Sequence, residues 1–124
     1  MREFQSAGLF QFASAEYRAT EGSVVTLTVT RLHGSSGSVV LQCTVADETA
    51  THGTLAAGGD YQHEGSSELM FADKQTSATT QIVLHEDGEQ ESHFETFHVS
   101  ISFYGGEQYA ELGTIPTAVV RVYD

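Results

Sequence analysis

The chain has no tryptophan, a single cysteine, a single proline and only five Lys and Arg residues against 17 Asp and Glu. Each shortage removes a class of answers. Cys43 alone cannot close an internal disulfide, and within an alternating apolar run it reads as a small buried hydrophobe. The shortage of bases leaves a formal net charge of −12. That field repels phosphate backbones and anionic lipid surfaces, so nucleic acid is not an expected partner. Without tryptophan there is no strong stacking platform for sugar rings, which weighs against a glycosidase pair among the many acids. No run approaches the roughly 18 consecutive apolar residues of a membrane-spanning helix, and no apolar core of a signal peptide is seen. There is no Gly-x-Ser-x-Gly elbow and no phosphate-cradling glycine loop with its Lys; "HGSSGS" and "EGSSE" read as turns. The chain is not expected to be an enzyme.

What is present is alternation. At 124 residues and 13.4 kDa the chain has the length of one domain. Its first eight residues, "MREFQSAG", read as a leader joined to a domain over 9–124. "SVVTLTVTR" sets Val25, Leu27 and Val29 on one face and Thr26, Thr28 and Thr30 on the other. The same period of two aligns Val39, Leu41, Cys43 and Val45, then Leu69 and Phe71, Ile82 and Leu84, Phe97, Val99, Ile101 and Phe103, and finally Ala118, Val120 and Val122. With "LFQFAS" and "EYRAT" at the start, seven or eight strands are expected, separated by turns such as "HGSSG", "AAGGD", "EDGE" and "YGGEQ". No helical period is seen. Short strands at this spacing predict an all-β sandwich, with Val25, Leu27, Val29, Val39, Leu41, Cys43, Val45, Phe71, Ile82, Leu84, Phe97, Val99, Ile101, Val120 and Val122 turned inward.

The order of certain pieces adds a resemblance. "ATEGSVVTLTVTR" opens a strand on Glu–Gly, "ETATHGTLAAGGDYQ" forms a Gly-rich loop ending in Asp–Tyr, and "ELMFADKQTSATTQIVL" supplies a strand pair. "HEDGEQESHFETFHVSI" is an acidic loop feeding a strand, and "AELGTIPTAVVRVYD" closes the chain. In that order they resemble the Calx-beta domains of sodium–calcium exchangers and of extracellular matrix, adhesion and surface proteins. The resemblance spans residues 9 to 124. It implies an immunoglobulin-like antiparallel β-sandwich of about seven strands and a non-catalytic module of a larger extracellular or cell-surface protein. Its implied partners are calcium ions, neighbouring domains and other matrix or surface proteins. Two alternatives remain: a cytoplasmic calcium-sensing domain of a membrane exchanger, and a metal-free spacer repeat.

The resemblance also implies the ligands. Carried residue by residue, they are Glu21, Asp60, Glu86, Asp87, Glu91, Glu95 and Asp124, with calcium as cofactor; that ion takes about six to eight hard oxygen ligands in loose geometry. The acidic loop departs from the family's run of consecutive Asp, having His85, Glu86, Asp87 and then Gly88, and the terminal Asp run is reduced to Asp124. A cation site requires these distant acids to converge at one end, whereas a solvated loop splays them. His85 and His93 could meet zinc beside Glu, but without a third close His or Cys they read as loop histidines. Tyr61, next to Asp60, is expected to bury its ring and bond its hydroxyl, fixing where Asp60 points.

Overall fold

The computed structural model describes residues 7–50, 53, 59–63, 67–86, 95–103 and 110–123. They form ten strands and no helix: β1 (Gly8–Phe12), β2 (Glu16–Thr20), β3 (Val24–Leu32), β4 (Val39–Asp47), β5 (Tyr61–His63), β6 (Glu68–Phe71), β7 (Ser77–Leu84), β8 (Glu95–Phe103), β9 (Ala110–Leu112) and β10 (Thr117–Tyr123). One sheet runs β5-β7-β3-β1-β9, the other β2-β10-β8-β4-β6. This is the expected all-β, immunoglobulin-like sandwich.

The period-two reading accounts for the layers. Of the residues expected inward, all are buried except Val45, which packs half-buried against the core near the end of β4. Phe10, Phe12 and Tyr61 join them. Phe10 sets its ring edge-on to Phe71 at 5.0 Å and to Phe103 at 6.0 Å, so the first strand is tied into the centre of the core.

Two features go beyond an antiparallel sandwich of about seven strands. The first strand breaks at Ala13–Ala15 and crosses from one sheet to the other, giving β1 and β2; the last breaks at Gly113–Pro116 and crosses likewise, giving β9 and β10. Because both cross in the same direction, they pair in parallel, β1 with β9 and β2 with β10, while every other pairing among the described strands is antiparallel. The crossing is tight: a Cβ on Gly113 would run into the side chains of Gln11 and Leu9. Pro116, at the second crossing, loses no ladder bond by lacking an N–H. Ala7 is buried and Gly8 opens β1.

Candidate functional site

β2, β4, β7 and β10 all finish at one end of the sandwich, where β3, β5 and β8 begin. The backbone ties these termini together. Glu21 N donates to Tyr123 O (2.8 Å), Gly22 N to Leu84 O (2.9 Å), Leu84 N to Ser23 O (2.8 Å) and His85 N to Asp60 O (2.9 Å), while Glu95 lies in register with Val122. Glu21, Asp60, Glu86 and Glu95, far apart in the chain, are thereby gathered at a single end. Gly22 makes the turn with φ of 82°, and the Glu86 side chain lies over it. Asp87, Glu91 and Asp124, the other expected ligands, lie outside the described residues.

Tyr61 anchors this end. Its ring is fully buried and stacks on Phe97 at 3.7 Å with 6° between planes, and its hydroxyl donates to Asp47 Oδ1 at 2.5 Å. Burial pushes the phenol pKa upward; the bond to Asp47 and the charges of Asp47 and Asp60 push the same way. Asp47 thus belongs to the acidic end although sequence reasoning passed over it, as it did Glu48. Glu48 accepts from the Thr96 hydroxyl and lies 3.6 Å from His98 Nε2. Thr96 N donates to Thr49 Oγ1 (2.7 Å), and Thr49 N and Ala50 N return bonds to Thr96 O. The signal for both acids was in "TVADET": alternation that runs straight into Asp and Glu at a strand end.

The chemistry of the donors fits a hard cation: they are carboxylates, with backbone carbonyls nearby. Cys43 contributes nothing, because its thiol is buried in the core and its pKa is pushed up to about 11 by that burial, against the pull of a hydrogen bond with Thr80. Nor does His85 point to zinc: its Nε2 sits 3.2 Å from Gly53 O, and His93 lies outside the described residues. Among the described residues no three His, Cys, Asp or Glu side chains stand close enough together to hold a metal ion.

The opposite end holds a residue the sequence reading did not single out. Arg31 continues the buried phase of Val25, Leu27 and Val29 and is itself buried. Its Nε donates to Ala7 O (2.6 Å), Nη1 to Ala72 O (3.1 Å) and Gln75 O (3.3 Å), and Nη2 to Ser36 O and Gly37 O (both 2.8 Å); its guanidinium also lies 5.5 Å from the centre of the Phe10 ring. Arg18 and Arg121 are spent elsewhere, bridging to Glu16 at 2.8 and 2.5 Å.

A family model described as the Calx-beta domain matches residues 3–124. No curated protein matches the sequence at a significant level. Among solved structures, a two-domain protein of unknown function from Bacteroides fragilis NCTC 9343 is similar over 93% of this chain and 45% of that one, with a TM-score of 0.67 and 6% identity. The E. coli chaperone DraB matches over 94% and 55% (TM-score 0.60, 12% identity), and the Pseudomonas aeruginosa CupB2 chaperone over 90% and 54% (TM-score 0.59, 11% identity). At such identities the likeness establishes the fold alone. The chain spans about half the length of each of these structures.

Proposed function

The chain belongs to the Calx-beta domain family, whose members are non-catalytic β-sandwich modules, and from that premise we propose that it is one module of a larger extracellular matrix, adhesion or cell-surface protein that takes calcium at its acidic end. The observation that carries the calcium reading is the set of backbone bonds that bring Glu21, Asp60, Glu86 and Glu95 to one end of the sandwich. A divalent cation bound at that end would join the loops that supply its carboxylate ligands. The chain's own residues have the remaining work. Tyr61 fixes the entry to β5 directly after Asp60, and the Thr49–Thr96 bonds fix the start of β8 directly after Glu95. Neighbouring domains of the parent protein are the proposed partners.

A second reading, a metal-free spacer repeat, is favoured by the lack of any triad of candidate ligands among the described residues. Calorimetric titration of calcium into the chelator-treated domain separates the two. Binding is expected, together with stabilisation of about 2.7 kcal/mol when calcium reaches about 100 times its dissociation constant. Asp60→Ala and Glu95→Ala are expected to abolish both signals. A wild-type domain that shows neither heat nor a rise in melting temperature is the spacer.

A further inference from the structure

The first and last strands lie side by side and in parallel along the length of the sandwich. Gly8, Leu9 and Phe10 pair with Ala110, Glu111 and Leu112, and Glu16 through Thr20 pair with Val119 through Tyr123. Where both strands change sheets the bonding continues: Gly113 N donates to Phe10 O (2.8 Å), Phe12 N to Ile115 O (2.9 Å) and Val119 N to Ala15 O (2.9 Å), and Glu21 N to Tyr123 O closes the series at 2.8 Å. The backbone enters at the Arg31 end and leaves β10 at the acidic end. Tension applied through the two ends of the chain therefore drags these neighbouring strands past each other in opposite directions.

We propose that this parallel pair is a mechanical clamp, which makes the module a load-bearing element against end-to-end tension. The inference rests on the reading above, in which the module is strung between neighbouring domains. In shear, the hydrogen bonds from Gly8 to Glu21 are stretched together and no one of them can break alone. In an unzipping geometry the same bonds open one after another. Each is worth only about 1 kcal/mol net, so resistance comes from loading many at once rather than from any single strong contact. Two further features keep the loaded strand from peeling. Arg31 pins the point of entry through its Nε bond to Ala7 O, and Phe10 and Phe12 bury their rings in the core. At the other end Val120 and Val122 do the same for β10.

Single-molecule force spectroscopy of the domain in chelator tests this, since forced unfolding follows the unfolding barrier rather than equilibrium stability. Pulling through handles at the two termini shears the pair. Pulling between a handle on Thr20→Cys and one at the C-terminus unzips it, because Thr20 is exposed and lies beside Tyr123; Cys43, buried, does not compete for the label. The expected result is an unfolding force severalfold higher between the termini than from Thr20→Cys. Equal forces in the two geometries would overturn the clamp, and this comparison needs no destabilised variant. Val119→Pro, which deletes the donor to Ala15 O, should lower the terminal force more than a core truncation matched to it in equilibrium stability, such as Ile82→Ala; an unchanged force also overturns the proposal. Because all arms run in chelator, failure of calcium binding leaves their outcome untouched and is seen separately by calorimetry.

Discussion

At the Arg31 end of the sandwich a cation is enclosed by the chain; at the other end acids gather at the surface. Arg31 is 2% exposed, and the oxygens around its guanidinium are neutral carbonyls of Ala7, Ser36, Gly37, Ala72 and Gln75. Burial lowers its pKa, the nearby charge of Asp73 opposes that, and the planar fork spends its donors on fixed dipoles drawn from separate segments. Glu21, Asp60 and Glu95 are half-buried and Asp47, Glu48 and Glu86 exposed, so water still solvates them. One end is closed by the chain's own charge. The other keeps its charge where something outside the chain can reach it, and this difference is why the acidic end, rather than the basic one, is the candidate site.

The sharpest way to break the comparison is to remove the enclosed cation. Arg31→Met leaves the carbonyls of several segments without their donor, and a loss on the order of 3–5 kcal/mol is expected in urea-induced unfolding. Arg31→Lys should recover only part of it, because an ammonium has three donors on a point and cannot span carbonyls spread around a planar fork. If Arg31→Met costs less than about 1 kcal/mol, as an ordinary surface change does, the end is not organised by its arginine.

Most of the layering was legible because a sheet with one buried face writes its orientation into the sequence every second residue. "SVVTLTVTR" shows both the strength of that rule and how far it reaches. Followed two residues past Val29, the inward phase lands on Arg31, and a charge in phase with a core face announces a buried group that must be satisfied. Past the last apolar residue the phase is carried by that charge. The parallel pairing of the terminal strands was not legible: a strand that changes sheets keeps its alternation, and alternation carries no record of its neighbour. At the acidic end the resemblance supplied Glu21, Asp60 and Glu95, whose backbones reach the same end of the sandwich, but it had no position for Asp47, whose role depends on the Tyr61 hydroxyl 14 residues away.

A smaller effect is expected at the acidic end from Tyr61→Phe. The substitution keeps the ring on Phe97 and deletes only the hydroxyl bond to Asp47. A hydrogen bond to a charged group is worth about 1.5–3 kcal/mol, and the lower part of that range is expected because Asp47 is exposed and water can replace the donor. Thermal melts in chelator measure it. A loss as large as that of Arg31→Met would mean that the two ends are locked equally, and the contrast between them would fail.

The smallest effect should come from Gly22→Ala, in the turn between β2 and β3. Its φ of 82° disfavours any side chain by about 1–2 kcal/mol, and a methyl group there would meet Glu86 Oε2 at 2.8 Å. That oxygen terminates a flexible, exposed side chain, so it can swing away; the cost of the contact itself is close to nothing. The equivalent change at the other end has no such escape. A methyl on Gly8, at φ of 110°, would meet the backbone oxygen of Gly34 at 2.6 Å and Arg31 Cγ at 2.8 Å, and neither can move without opening the arginine's cage. Gly22→Ala should therefore lower stability in chelator by no more than its backbone strain while turning Glu86 off the end of the sandwich. If calcium is held there with help from Glu86, its affinity should fall even though the fold is nearly as stable as before, and calorimetry on this variant would show it. An affinity equal to wild type would remove Glu86 from the set of ligands.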